Sequence, residues 1–600
     1  MKAARAIFRF LADRGVRHVF LVPGGGAMHL DDAIGGEPRL RYICPLHEQA
    51  CAMAAEGYAR VSGAPGVCCV TSGPGGTNAV TGVLGAWTDS VPMLILSGQV
   101  KQQTTIGSVP GLPLRQLGDQ EADIVSIVRP ITKYAAMVTD PASLGAELAK
   151  AWRLCRSGRP GPVWLDIPLD VQAAEVAWKS FCVPEELPEP PPASLAAEAE
   201  AVAEELRQAE RPVIVAGAGL RLAGQAEAFA DWTAQLDVPV LTAIGGIDLL
   251  PTEHPAFFGR PGIIGARAAN FILQNADLLL VLGARMGLRL IGYDWASTGR
   301  AARKIMVDID AAELAKPTFR PDRAICADLA DFLPELRRHL PGPAERPAWL
   351  AYCRRVRSRY PAVTEEHRAR TDYVSSYHLP ELVSAAMPEN GIIVTGNGTA
   401  YTSTFQSLPV RPGMRVFANQ GCAAMGYDLP AAIGAALAAP GRTVVCFTGD
   451  GSLQMNLQEL QTLKNLALPV KVLVYNNAGY LSIRHTQSGY FNGRFVGSGP
   501  ESGLLLPELE KLAAAYGLPF ARFRNHREAE AGLPALLNAP GPALAEVMTD
   551  PCEVLGPKAA SRVLTNGSMV SAPLEDLAPF LPREEWKENM IVPPVEGEES

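Results

Sequence analysis

Short apolar runs that end in a glycine turn recur along the whole chain, and they leave few folds open. VFLVPGGG, GVCCVTSGPGG and PMLILSGQ come first, then RPVIVAGAG, VPVLTA, ADLLLVLGAR and KIMVDID, and finally GIIVTGNG, TVVCFTGDG and VKVLVYNN. Amphipathic stretches at helical spacing separate them. Buried runs of this length alternating with helical patterns predict parallel strands wrapped by helices. Two proline-rich breaks, VPEELPEPPPAS at 183–194 and HLPGPAERP at 339–347, read as linkers. A chain of 600 residues exceeds one hydrophobic core. The expected fold is therefore α/β: three doubly wound parallel-sheet domains at 1–182, 195–338 and 360–555. A C-terminal extension at 556–600 mixes Pro, Glu and Met and specifies no element. Wrapping over the body and partial disorder are both open for it.

Composition narrows the partners. The formal charge of −8 carries no long run of Lys or Arg, so neither nucleic acid nor an anionic membrane surface is indicated. No segment reaches the ~18 apolar residues of a membrane span, and the opening MKAARAIFRFLADRGVRHVF lacks the unbroken apolar core of a secretory signal. Eleven cysteines are scattered without a C-x-x-C pair, which points away from a disulfide framework or a zinc site. The reading is a cytoplasmic protein with small-molecule partners.

The stretch GDGSLQMNLQELQTLKNLALPVKVLVYNN, residues 449–477, places an acid and a pair of asparagines at the lips of two apolar runs. TVVCFT reads as a buried strand, so Asp450 stands where a strand ends. Leu457, Leu460, Leu463 and Leu466 recur at helical spacing and return the chain to VKVLVY. A β-α-β crossover puts Asp450 and Asn477 at the carboxyl edge of adjacent strands, where open α/β sheets bind ligands. A carboxylate and an amide oxygen there suit Mg²⁺ bridging to phosphates. Gly451 permits close backbone approach, and Ser452 is expected to open the helix whose amides attract anions. A plain strand turn and an ordinary asparagine turn would explain either half, but not both joined by one crossover.

This arrangement resembles the thiamine diphosphate motif, and the chain to about residue 550 resembles the acetolactate synthase-like branch of thiamine-dependent enzymes. The resemblance implies Mg²⁺ held by Asp450, the Asn477 side chain and the Gly479 carbonyl. It makes the three domains pyrimidine-binding, central FAD- or ADP-type, and diphosphate-binding. Gly398 and Thr399 in TGNGTA, Gly426 in QGCAAMGYD, Gly451, Ser452 and, in TSGPGG, Gly73 are then cofactor-binding residues.

Thiamine diphosphate must lose a proton from a poorly acidic carbon, and a carboxyl bonded to its aminopyrimidine ring recruits the cofactor's own amino group as the base. HEQACAMAAEGYAR resembles the segment that carries this activating acid, here Glu48, which follows an apolar strand and begins a helix of small residues. Burial there would raise its pKa. An exposed first-turn glutamate complementing the helix dipole is the plainer alternative on local sequence. The resemblance also implies a homodimer as the minimal active unit, with a tetramer possible, because the glutamate domain of one subunit faces the diphosphate domain of another. It puts Gln99 and Gln120 on segments lining the substrate side, and Met425 under the cofactor, a place that an unbranched polarizable side chain suits.

In the central part, a G-x-G after RPVIVA is weak evidence for a dinucleotide by itself. GRPGPVWLDIP, GRPGIIGARAAN, ADLLLVLGARMGLR and KIMVDID resemble segments that hold FAD in acetolactate synthase. They imply Arg159, Gly217, Gly219, Thr242, Arg285, Asp308 and Asp328 near it. FAD, ADP or an empty domain all occur in related branches.

The departures gather on the acceptor side. Leu169 stands where acetolactate synthases usually carry lysine, Asp119 replaces a phenylalanine, and Gly287 and Leu288 replace two acidic residues, whereas Arg289 is kept. AGYLSIRHTQSGYFNGRFVGSGPESG lacks the tryptophan region that selects the second keto acid. GGGAMHLDDAI, GYLSIRHTQ and the C-terminal extension are similar to a subgroup of deoxysugar and surface-polysaccharide pathways. Asp119 and His485 would suit a hydroxylated acceptor or solvent equally. The implied reaction is decarboxylation of a 2-oxo acid such as pyruvate, with the two-carbon unit passed to a carbonyl acceptor. The alternatives are a simple decarboxylase, a carboligase for a nucleotide-linked keto sugar, and a cofactor-binding partner that has lost catalysis.

Overall fold

The computed structural model describes residues 1–182, 191–340, 342, 345–563 and 569–595. Much of the first proline-rich break, part of the second and the tip of the C-terminal extension lie outside the described residues. The apolar runs form strands as their length and branching dictate: β1 (His18–Leu21), β2 (Arg41–Ile43), β3 (Gly66–Val70), β4 (Met93–Gln99), β5 (Tyr134–Met137) and β6 (Pro162–Pro168). They join in the order β2-β1-β3-β4-β6-β5, every pair parallel. A second parallel sheet holds β7 (Pro212–Ala216), β8 (Val240–Thr242), β9 (Leu278–Leu282), β10 (Arg303–Asp308) and β11 (Arg323–Cys326), ordered β11-β10-β9-β7-β8. The third holds β12 (Ile392–Thr395), β13 (Arg415–Phe417), β14 (Val444–Gly449), β15 (Val470–Asn476), β16 (Phe520–Phe523) and β17 (Ala543–Met548), ordered β13-β12-β14-β15-β17-β16. The first and third sheets thus share one winding. In each, the strand order reverses beside its first strand, which opens a crevice at the carboxyl edge.

The outer two domains are fused through a helix pair. Glu48–Ser62 and Asp428–Ala438 are rich in alanine and glycine, so their backbones touch. A Cβ on Gly57 would run into the Ala431 backbone, and one on Gly434 into the Ala54 carbonyl. One apolar core runs from Phe20 and Cys51 of the first domain to Ile433, Cys446 and Val472 of the third. Helix propensity alone favours Gly434→Ala by about 1 kcal/mol. The clash outweighs it: we expect a net loss of about 1–3 kcal/mol, read from urea unfolding.

The described part of the C-terminal extension wraps the middle domain. It covers the helix Arg267–Gln274, whose side chains bind its backbone: Arg267 donates to Leu577 O at 3.1 Å and Asn270 to Leu574 O at 2.8 Å. Asn275 donates to Asn589 O at 2.8 Å, and Trp586 is fully buried. No helix among the described residues is long and apolar enough to cross a membrane, and all eleven cysteines are free.

Candidate active site

The crossover from β14 to β15 brings the two sequence signals together. Gly449 pairs with Tyr475 in register, so the residues that follow each strand emerge side by side. Asp450 Oδ2 accepts the Gly479 amide at 2.8 Å, and Oδ1 accepts its neighbour Gly451 at 2.8 Å. Burial pushes the Asp450 carboxyl up to about 6, against the pull of those amides. Of the two asparagines, Asn476 is structural, donating to Glu546 at 2.6 Å and accepting the Ala478 amide at 3.1 Å. Asn477 donates to Thr399 Oγ1 at 3.1 Å, while its Oδ1 is buried without a partner. A buried acceptor so exposed to desolvation cost is what a cation would satisfy. The Asp450 carboxylate and the Asn477 amide oxygen are hard oxygens of the kind that Mg²⁺ takes; among the described residues no cluster of three or more His, Cys, Asp or Glu side chains could hold a metal ion.

The glycines expected on the cofactor side border the same edge. Gly398, at φ +71°, caps the helix Thr399–Ser407. Gly426, at φ +75°, has no room for a Cβ beside Met455, and Gly451 lies against the Tyr480 ring. Ser452 differs from expectation. The helix begins at Asp450 and breaks at Gln454–Asn456 before resuming at Glu459–Asn465. The leucine-spaced stretch is helical as expected, and a tertiary contact accounts for the break before it: Asn456 donates to Gly426 O at 2.8 Å. The Ser452 hydroxyl accepts the Gly426 amide at 2.9 Å and donates to Asp428 at 3.1 Å, so it braces the Met425 loop. Met425 itself is 38% exposed, an apolar surface left bare at the site.

Glu48 opens its helix behind the capping His47 and accepts a hydrogen bond from Asn78 at 3.0 Å. It is half-buried in the single chain rather than buried, and its turn rests on the segment downstream of Asp450: Leu46 N donates to Glu459 at 2.9 Å and Asn456 to Gln49 at 3.3 Å. Gly73, at φ +61°, leaves only 2.6 Å between a notional Cβ and the Gln120 carbonyl, so this pair does meet. Gln120 is exposed and held at φ +60°, a strained state for a side chain, by the buried Glu121, which accepts Leu117 N at 2.9 Å and Gly118 N at 3.1 Å. Asp119 is exposed; His485 is half-buried, its pKa lowered by burial and by Lys558 and Arg484.

Gln99 ends β4 at the carboxyl edge of the first sheet. It is buried, donating to Asp166 and to Ala122 O, each at 2.9 Å. Asp166 also accepts Ser97 Oγ at 2.6 Å, and burial pushes its carboxyl up to about 7 against these bonds. A carboxyl whose folded pKa exceeds its unfolded one binds extra protons on folding. Its stabilising effect is complete below the unfolded value of 3.8 and is lost as pH rises through about 7. We therefore expect Asp166→Asn to flatten the decline in unfolding free energy across that window; identical slopes for both proteins would show that the group is already ionised.

Sequence reasoning missed a buried charge cluster between the outer domains. Arg60 donates to Glu56 at 2.6 Å and to Asp89 at 2.6 Å, and Tyr427 donates to Glu56. Asp89 accepts the Gln420 and Gly421 amides, each at 2.9 Å, which fixes the leading end of the Met425 loop, while Tyr427 on Glu56 ties its far end. The i, i+4 spacing of Glu56 and Arg60 was visible, but their partners were not.

At the carboxyl edge of the middle sheet a cavity of about 600 Å³ is lined by Arg159, Gly217, Gly219, Arg285, Asp308 and Asp328, among others. Glycine is needed there for packing too, since a Cβ on Gly219 would sit 2.7 Å from Gly283 Cα. Arg159 and Arg285 share Glu313 at 2.9 and 2.8 Å. Burial alone would raise the Glu313 carboxyl, but Lys316 and the two arginines hold it down at about 2. Asp328 caps the helix Leu329–His339. Thr242 is buried, its hydroxyl unpartnered, and Ala243 rather than Thr242 lines the cavity.

Profiles described as "Thiamine pyrophosphate enzyme" match in three parts: the N-terminal TPP binding domain at residues 1–126, the central domain at 199–336 and the C-terminal TPP binding domain at 396–547. The chain belongs to the acetolactate synthase-like thiamine pyrophosphate enzymes. Acetolactate synthase isozyme 1 large subunit of Escherichia coli (strain K12) is 36% identical over 565 residues, spanning 92% of this chain and 95% of the relative. The isozyme 2 large subunit of the same organism is 33% identical, spanning 93% and 97%. Probable acetolactate synthase 2, chloroplastic, of Oryza sativa subsp. japonica is 33% identical, spanning 91% and 83%. The three profiles of these thiamine pyrophosphate enzymes fall on the three parallel sheets.

Proposed function

We propose that this chain decarboxylates pyruvate and joins the remaining two-carbon unit to a second carbonyl compound, as an acetolactate synthase-like carboligase. The observation that carries the reading is the buried, unpartnered Asn477 Oδ1 beside Asp450 in a chain of this family. Asp450, Asn477 and the Gly479 carbonyl would hold Mg²⁺. Gly398, Thr399, Gly426, Gly451 and Ser452 would border the diphosphate. Thiamine diphosphate, when bound, supplies an electron sink for the carbon that loses CO₂. Glu48 would offer its carboxyl to the cofactor as the activating acid, and Met425 would give it apolar support. Gln120, presented by Glu121, faces the substrate; Gln99 acts through Asp166 and Ala122 to hold the same loop. The 600 Å³ cavity supports FAD in the middle domain.

Exposed Leu46 (55%) and Met455 (44%) next to the Glu48 turn, with half-buried Glu48, support a homodimer in which a partner covers this face. Eleven free cysteines support a reducing cytoplasm. The test is to incubate the protein with pyruvate, thiamine diphosphate and Mg²⁺, record CO₂ and weigh the products. Acetolactate is expected. Acetaldehyde alone would make it a simple decarboxylase, and no cofactor-dependent CO₂ would overturn the reading. Visible flavin absorption released on denaturation tests FAD.

A further inference from the structure

The turn that presents Asn477 and Gly479 has its amides met by Asn476 and Asp450 but its carbonyls left over. Ala478 stands at φ +59° and Gly479 at φ +123°, two successive residues in a region that costs a side chain about 1–2 kcal/mol. This geometry leaves the carbonyls of Asn477 and Ala478 outside any helix or sheet. Both are met by one guanidinium. Arg484, on the helix Leu481–Tyr490, donates to Asn477 O at 2.6 Å and to Ala478 O at 3.0 Å. The same group donates to Ser498 O at 2.9 Å and to Pro551 O at 2.9 Å. Ser498 O also accepts the Tyr480 amide at 2.9 Å, and the Gly479 Cα packs against it so closely that a Cβ would lie 2.5 Å away.

Four carbonyls from three separate stretches therefore converge on a single side chain. Arginine suits this because its five N–H donors lie in one rigid plane; an ammonium has three donors at a single point. Pro551 follows the end of β17, the strand beside β15, and begins the segment that leads into the C-terminal extension, so the turn is tied to the end of its neighbouring strand.

We propose that Arg484 is a positioning residue for the divalent cation: it fixes the turn so that the Asn477 amide oxygen and the Gly479 carbonyl point at the place beside Asp450. It makes that geometry depend on the 551 segment. The inference rests on the Asp450, Asn477 and Gly479 reading of the cation site above. Groups that orient metal ligands typically contribute about 10–100-fold to metal affinity.

The experiment reads Mg²⁺-dependent binding of thiamine diphosphate to the full chain by near-ultraviolet circular dichroism, apart from turnover. In Arg484→Met the half-saturating Mg²⁺ concentration is expected to rise about 10–100-fold, with Arg484→Lys in between. Leu537→Ala, in the core of the same domain, serves as a stability control that lowers Tm without moving the half-saturation. Wild-type half-saturation in Arg484→Met would overturn the proposal, as would an equal rise in Leu537→Ala. If Arg484→Met does not fold, unchanged half-saturation in Arg484→Lys overturns it. If the wild type itself shows no Mg²⁺-dependent binding, the reading of the cation site falls first and the role of Arg484 with it.

Discussion

Glu48→Gln is expected to lower the rate of CO₂ release from pyruvate by about 10²–10⁴-fold, the range typical of a lost general acid or base. The substitution is nearly isosteric. A Gln side chain still offers an oxygen to Asn78, which donates to Glu48 at 3.0 Å, so the helix start and the capping His47 need not move. What disappears is the ability to hold or release a proton. Binding should therefore survive: Mg²⁺-dependent binding of thiamine diphosphate, whose proposed anchors stand on the third sheet, is expected to stay close to wild type. This split separates chemistry from assembly. Loss of binding together with rate would make Glu48 a structural residue, and full retention of CO₂ release would remove it from the mechanism.

The parts of this site that could be read from sequence are those set by local pattern. Strand ends, the Asp450 to Asn477 crossover and the glycine turns at 217 and 283 all follow from apolar periodicity and breaker residues, and the sheets bear them out. What the pattern could not tell was which polar group faces inward. Asn476 and Asn477 are chemically identical neighbours, and only the pairing of β15 with Glu546 on β17 commits one to structure and frees the other. That the Gln99 amide is bound to a buried Asp166 on the adjacent strand could likewise not be read from its own segment. Leucine spacing over 457–466 predicts the helix observed at Glu459–Asn465, but Asn456 must reach the Gly426 carbonyl, and so that helix does not run unbroken from Ser452. Each difference arises from a partner distant in the chain. Arg484 shows the same limit, since nothing near it in sequence indicates that its guanidinium gathers carbonyls from 477 to 551.

Asp450→Asn carries the other large effect, and its size depends on pH. The variant keeps an oxygen for one of the Gly479 and Gly451 amides, which bind different carboxylate oxygens in the wild type, and it removes the only charge among the three proposed cation ligands. Outer partners of metal sites are worth about 10–100-fold in affinity, so loss of a charged ligand is expected to raise half-saturating Mg²⁺ by more than about 100-fold. In the wild type, burial holds this carboxyl near 6, and a divalent cation binds the ionised form. Below that pH the cation must displace a proton, so wild-type half-saturating Mg²⁺ should rise about tenfold per pH unit as acidity increases, and level off above it. Asparagine has no proton to displace. The variant should bind weakly and without that slope, so titrations of both proteins at several pH values test charge and position together. A variant whose Mg²⁺ requirement tracked the wild type across pH would place the cation somewhere other than the end of β14.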